Sequence, residues 1–504
     1  MDTMSWSRIA KRKRLTSLTD SSKPIIKRNE PVAYTPHDYQ KKAIKFGLER
    51  GAAGFFLDPG LGKTSIILAI IKILLKKKII SKVLIIAPLR VVHGVWPEEI
   101  KKWLDFNELT YSIVHGKNPR AREKAFRVEA TVYIMNPEGL EWLERQKRWN
   151  FDMLVVDESS KFRNTKSLRF KIMRRLVKKF QRRYILTGTP APNGLLNLFG
   201  QMYILDQGRA LGAYITHYRN QYFNPSGYGG YDWVIKEGAA ERIYDRIRPL
   251  ILRMEAADYL KLPPLISSNI KIELPPDVMK IYRELENTLI TEIDDKKIVA
   301  ANAAVASQKC RQVANGGIYI EDLSMASEDS VFEFKRGKRE SKILHMLKAE
   351  AVLELVEELE GQPALIAYEF DHDLERLKKV LGKDTPHIGG GVSVKRGVEI
   401  QNAWNAGEIP KLLGQPSSVG FGLNLQGAGR AVIFHSLPWD LEAYDQFIKR
   451  VWRQGQTGRV FLYHIVSNTI VDRAILGALA RKSRTQKALL DALKHEIKVM
   501  RKAA

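Results

Sequence analysis

The chain has 504 residues, 82 Lys and Arg against 56 Asp and Glu, a net charge of +26, one cysteine and 44% hydrophobic residues. At roughly 100 to 200 residues per domain this is enough for several domains, each able to bury a core without disulfides or a structural metal. A lone Cys310 makes no intramolecular disulfide and no Cys/His cluster has zinc-ligand spacing, which excludes a disulfide scaffold or zinc module and points to a reducing compartment.

The longest apolar stretch, Ile66 to Leu75, is broken by Lys72 and falls short of the roughly 20 residues that cross a bilayer. The N-terminus carries no apolar signal region. The expected setting is the cytoplasm of a bacterium or virus-infected host cell, or the nucleus if the source is eukaryotic, with no membrane partner.

In chain order, residues 1–30 carry eight basic and three acidic side chains and read as a basic flexible tail. Residues 31–255 read as a first α/β lobe, with buried strands at Gly54–Leu57, Val83–Ala87, Val132–Met135, Met153–Val156 and Tyr184–Leu186. Within it, Lys161 to Arg183 carries eleven basic side chains and no acidic one. Residues 256–336 read as a helical insertion or linker, since Asp277 to Val313 is rich in helix formers between breaks at Pro263-Pro264 and Pro275-Pro276. Residues 337–480 read as a second α/β lobe, with strands at Ala364–Tyr368, Lys411–Gly414, Ala431–Phe434 and Val460–Ile465. Residues 481–504, with eight basic and two acidic side chains, read as a basic C-terminal helix. Because each Lys or Arg on a phosphate displaces counterions, the excess charge makes nucleic acid the expected partner; its bland alternative is ordinary solubility charge.

Two motifs carry chemistry. The run Phe55-Phe56-Leu57-Asp58-Pro59-Gly60-Leu61-Gly62-Lys63-Thr64-Ser65, ahead of an apolar helix, places a glycine turn between strand and helix, where backbone N–H groups converge on an anion. In such a loop Lys63 reaches the β- and γ-phosphates and the Thr64 hydroxyl ligates Mg²⁺. The strict pattern has Gly where this chain has Leu57, and the alternative is a purely structural turn. The second motif is Asp157-Glu158 after the apolar run Met153 to Val156: Asp157 would hold the Mg²⁺ shell and Glu158 would polarise an attacking water.

In order, DPGLGKT at 58–64, IIAPLRVV at 85–92, DESS at 157–160, LTGTPAPN at 186–193, SVGFGLNLQGAG at 418–429 and QFIKRVWRQGQ at 446–456 resemble the helicase motifs of superfamily two, in the form of the Swi/Snf-type double-stranded DNA translocases. The resemblance covers roughly residues 34 to 475. It implies two RecA-like parallel-sheet lobes with an ATP cleft between them and a helical insertion. By the same resemblance, Gln40 reads adenine, and Asp58, Gly60, Gly62, Lys63, Thr64, Ser65, Asp157, Gly422 and Gln446 bind ATP with Mg²⁺ on Thr64 and Asp157. Glu158, Lys63, Arg450 and Arg453 are the implied catalytic set, the arginines acting as fingers from the second lobe. Arg90, Thr189 and Asn193 are implied phosphate contacts that grip without reading sequence.

The motifs depart from the family at two points. Ser160 stands where the family usually has a His that often bridges to the third motif, and Trp439-Asp440-Leu441 replaces Trp-Asn-Pro. His115, His345 and His464 read as core or surface histidines. The functional expectation is a monomeric, ATP-hydrolysing motor on duplex DNA, independent of sequence, in replication, recombination or repair and alongside proteins of those processes. The alternatives are a strand-separating or fork-remodelling and annealing helicase, an RNA helicase, and a non-motor ATP-gated DNA clamp.

Overall fold

The computed structural model describes residues 31–116, 118–146, 149–188, 190–191, 194–226, 232–294, 300–320, 340–420 and 423–480. Both basic terminal segments, 1–30 and 481–504, lie outside the described residues.

Two fully parallel sheets form the frame. The strands in chain order are β1 (Ala52–Leu57), β2 (Val83–Ile86), β3 (Tyr111–Ile113), β4 (Val132–Met135), β5 (Met153–Asp157), β6 (Arg182–Thr187), β7 (Phe223–Ser226), β8 (Asp232–Ile235), β9 (Ile251–Met254), β10 (Leu265–Ile272), β11 (Gly317–Tyr319), β12 (Ser341–Ile343), β13 (Ala364–Ala367), β14 (His387–Ile388), β15 (Lys411–Gly414), β16 (Ala431–Phe434) and β17 (Val460–Ser467). The first sheet has the order β3-β4-β2-β5-β6-β1-β9 and the second β10-β17-β16-β13-β15-β14; β7–β8 and β11–β12 are small antiparallel pairs.

Helices cover both faces of each sheet, which is why the central strands are apolar throughout rather than alternating. Along β5, Met153 and Val155 join one core while Leu154 and Val156 join the other. In β13, Leu365 and Ala367 likewise face one cluster and Ala364 and Ile366 the opposite one. This is the period-two geometry of a strand buried on both sides.

The second lobe begins earlier in the chain than its apolar runs indicate. Leu265–Ile272, inside the stretch read as a helical insertion, pairs in parallel with β17 over all 8 of its residues. As an edge strand it has no buried residue and is mostly exposed, and Ser267-Ser268-Asn269 break any apolar pattern that would mark it. The expected helical stretch forms two helices, Pro276–Asp294 and Ala300–Asn315. Their Val278, Tyr282, Cys310 and Val313 share one core with Phe434 and Leu462, so these helices are part of the second lobe. Burial pushes the Cys310 thiol up to about 12, leaving it inert. Among the described residues no helix is long and apolar enough to cross a membrane.

Candidate nucleotide cleft between the lobes

At the end of β1 the chain turns through Asp58–Gly62 and enters α2 (Lys63–Lys76). Gly60 and Gly62 sit at φ of +95° and +76°, a region glycine reaches freely because it has no Cβ. At Gly62 a side chain is also excluded by space, since a Cβ would lie 2.4 Å from Gln40 Nε2. The first turn of α2 therefore presents its N–H groups and positive dipole end to the cleft. Lys63 Nζ bends back to donate to the Leu57 carbonyl at 2.7 Å. Burial lowers its pKa, while the carboxylates of Glu158 and Asp157 oppose that shift.

Gln40, on α1 (Asp38–Leu48), braces this loop. Its Nε2 donates to Leu61 O at 3.3 Å and its Oε1 accepts from His37 N at 3.0 Å. The amide expected to face adenine is thus engaged with the phosphate loop, leaving one hydrogen and one oxygen lone pair for a base. Ser65 Oγ donates to Gly62 O at 3.0 Å, a turn-closing bond within the same loop.

β5 delivers the acidic pair. Asp157 Oδ2 accepts from Trp96 Nε1 at 3.1 Å and Oδ1 from Glu158 N at 3.0 Å. Glu158 adopts φ +53°, strained for a residue with a side chain, and its Oε2 is buried without a hydrogen-bond partner. Burial raises the pKa of both carboxyls, against the pull of Lys63. Trp96, fully buried at the start of the helix Trp96–Lys102, was not singled out from sequence; an apolar-looking aromatic in a helix gives no sign that its N–H orients an acid.

The second lobe closes the cleft with the segment from Gln446 to Gly455. One cavity of about 430 Å³ is lined by Gln40, Lys63, Thr64, Asp157 and Glu158 from the first lobe and by Gln446, Lys449, Arg450 and Arg453 from the second. A Cβ built on Gly60 would lie 3.8 Å from Arg453 Cβ, so the arginine segment sits directly on the phosphate loop. The two arginines differ. Arg450 donates to the carbonyls of Gln446 (3.1 Å), Leu423 (3.1 Å) and Gly420 (2.7 Å), and burial lowers its pKa to about 10. Arg453 has a buried Nε without a partner. Gln446 donates to Glu442 at 3.0 Å while its own Oε1 is buried and unpaired. Asp58 accepts from Ala256 N at 3.1 Å and faces Lys449 across the cleft. Lys449 was likewise missed from sequence, being one more cation in a basic run.

Of the expected nucleic-acid contacts, Arg90 lies on α3 (Leu89–Gly94) at the seam. Its Nη1 is buried without a partner, 3.3 Å from where a Cβ on Gly397 of the second lobe would stand. Thr189 and Asn193, like Gly422 of the expected ATP set, lie outside the described residues. His345 and His464 are buried, while His115 is half-buried with its Nδ1 3.1 Å from His93 Nε2. Among the described residues no group of three or more His, Cys, Asp or Glu side chains could hold a metal.

The SNF2-related domain family matches residues 39–323, and the helicase conserved C-terminal domain family matches residues 347–455. "Putative protein p41" of Acyrthosiphon pisum secondary endosymbiont phage 1 is 32% identical over 480 residues, covering 92% of this chain and 99% of its own. The mouse "DNA repair and recombination protein RAD54-like" is 24% identical over 90% of this chain, which spans 66% of that relative's length. Among solved structures, the Sulfolobus solfataricus SWI2/SNF2 ATPase core in complex with dsDNA is similar at a TM-score of 0.41 and 23% identity, covering 92% of this chain and 94% of that one. The two parallel-sheet lobes, the cleft they share and the match across more than half the length agree: the chain belongs to the SNF2-related family, the Swi/Snf-type DNA-dependent ATPases of helicase superfamily two.

Proposed function

We propose that this protein is an ATP-driven motor that translocates on duplex DNA by tracking its phosphate backbone, in repair, recombination or replication. The observation that carries this reading is the single cavity lined from one lobe by Lys63 and Glu158 and from the other by Arg453. A triphosphate held there touches both lobes at once, so its binding and loss change their spacing.

In this reading Lys63 and the first turn of α2 neutralise the phosphates, and Glu158 accepts the proton of the attacking water. The orphaned Glu158 Oε2 is a buried acceptor suited to that water. Arg453 meets charge that builds on the γ-phosphate as the lobes close. Thr64 and Asp157 offer hard oxygen donors on one cavity wall, a set that suits Mg²⁺ with phosphate oxygens completing the shell. Bound there, Mg²⁺ would supply charge neutralisation between phosphates. Trp96 holds Asp157 in place for that role.

Duplex DNA is favoured as the track because the net charge of +26 suits a continuous polyanion and phosphate contacts read no sequence. The mouse relative's name, a DNA repair and recombination protein, supports that setting. The test compares ATP turnover with duplex, single-stranded and forked DNA and with RNA, alongside triplex displacement and strand separation. Duplex-stimulated turnover with triplex displacement and no strand separation is expected. Strand separation would favour the helicase alternative, and turnover indifferent to nucleic acid would overturn the motor reading.

A further inference from the structure

The helix Leu198–Asp206 is buried on every side, yet at its centre stands Gln201, fully enclosed. A buried amide is costly unless its hydrogen-bonding groups are satisfied. Here they are. Gln201 Oε1 accepts from Ser159 Oγ at 2.7 Å, and Nε2 donates to Asn197 O at 3.0 Å and to Pro190 O. Both amide hydrogens are used, and the oxygen carries the serine next to Glu158 in the chain.

The two ends of this bridge belong to different parts of the machine. Ser159 opens the short helical turn Ser159–Phe162 that immediately follows the left-handed Glu158. Pro190 lies on the exit from β6, between Thr189 and Asn193, the residues assigned to the DNA track. We propose that Gln201 is a positioning residue that couples the DNA-facing loop to the Glu158 carboxylate, the route being Pro190, Gln201, Ser159, Glu158. The proposal rests on the motor reading above and supplies the connection by which DNA would stimulate turnover.

The physical argument is geometric. A shift of Pro190 by about 1 Å takes its carbonyl out of hydrogen-bond range of Nε2 unless the amide follows, because these bonds weaken steeply beyond roughly 3.2 Å. Asn197 O, at the end of the turn that leads into this helix, holds the second hydrogen and limits the amide to small rotations. Those rotations move Oε1, and with it the Ser159 hydroxyl. Glu158 Oε2 has no hydrogen bond of its own to resist the change. Ser160, at the position where the resemblance leads one to expect a bridging His, is buried nearby, and the bridge is instead made one residue earlier.

The test uses the full chain and the variants Ser159→Ala, Gln201→Met and their combination. Gln201→Met keeps the volume and loses the bonds, while Ser159→Ala removes one oxygen and carries the test if the first variant fails to fold. Turnover is measured with and without saturating duplex DNA, together with the KM for ATP. The ratio of stimulated to basal turnover should fall about 5-fold or more in each single variant, with KM for ATP unchanged. The double variant should be no worse than the poorer single, because both cut one chain of bonds. A ratio preserved in both singles, losses that multiply in the double, or basal and stimulated rates falling by one factor would each overturn the coupling role. Wild-type protein without any DNA stimulation would overturn both this proposal and the motor reading.

Discussion

Lys449 of the second lobe points its ammonium at Asp58 of the phosphate loop, 3.7 Å away, so an ion pair spans the cleft where triphosphate would sit. Both side chains are largely shielded, which limits screening by solvent. Reversing one charge should hold the nucleotide-free lobes apart. Lys449→Glu is expected to lower interlobe energy transfer between dyes placed on the two lobes, and adding Asp58→Lys should restore it. Equal transfer in wild type and Lys449→Glu would show that the pair does not hold the cleft.

Arg450 and Arg453 should fail in different ways. Arg453 faces the cleft with its Nε unbonded, so Arg453→Ala is expected to cut kcat on the order of 10³-fold, with DNA affinity and thermal stability little changed. Arg450→Ala strips donors from three carbonyls, those of Gln446, Leu423 and Gly420. Each buried carbonyl left unpaired costs about 1–3 kcal/mol, so this variant should also show a lower melting temperature. Thermal melts and DNA titrations of both variants check the contrast; equal melting temperatures would refute it.

Burial sets opposite shifts on Glu158, which is raised, and on Lys63, which is lowered. Glu158 must be ionised to accept a proton, so kcat/KM falls as pH drops through its raised pKa. Lys63 must stay protonated to hold phosphate, so activity also falls as pH rises through its lowered pKa. The pH profile should therefore be narrower on both sides than the unperturbed values of about 4.3 and 10.4 would give. Glu158→Gln should retain ATP binding and lose turnover, and Lys63→Ala should lose binding, as read by a fluorescent nucleotide. Undiminished turnover in either variant would remove the residue from the mechanism.

Acid should weaken the second lobe before carboxylates titrate. Burial is the main cause that lowers His345 and His464 to about 4 and His435 to about 3. In the unfolded chain these groups titrate near 6.5, so between about 6.5 and 4 the unfolded state binds more protons and stability declines as pH falls. Urea midpoints measured from pH 7 to pH 4.5 should drop. The drop should be shallower in His464→Gln, which removes the ring held between Tyr444 Oη (2.8 Å) and Asn269 Oδ1 (2.9 Å). A pH-independent midpoint would contradict these shifts.

The two lobes were legible in the sequence because parallel strands buried on both faces write continuous apolar runs: Val83–Ile86, Met153–Val156, Ala364–Ala367 and Ala431–Phe434 all stand out. Edge strands do not. β3 and β14 are too short, and β10 is mostly exposed, its apolar residues interrupted by Ser267-Ser268-Asn269. At the cleft, the glycines and the acidic pair declare themselves by spacing, since a phosphate loop admits few residue types. The second layer is silent for the opposite reason: Trp96, Gln201 and Lys449 act through long-range contacts, at sequence separations of 61, 42 and 391 from Asp157, Ser159 and Asp58, which local pattern does not record. Gln40 was found, but its present bonds are to the loop and to His37.

The helix Ala300–Asn315 is clasped by the second lobe at its last residue. The Asn315 side chain accepts from Lys348 and its carbonyl from Arg376, both deeply buried. β10 is zipped to β17 just upstream, with Trp452 anchored on the Pro263 carbonyl. With the Pro264 carbonyl also held by Val460 N, the described second-lobe residues are tied together from Pro263, leaving the short crossover between Met254 and Pro263 as the pivot. Asp58 touches that pivot at Ala256, so the residue that feels Lys449 also feels the angle of the joint.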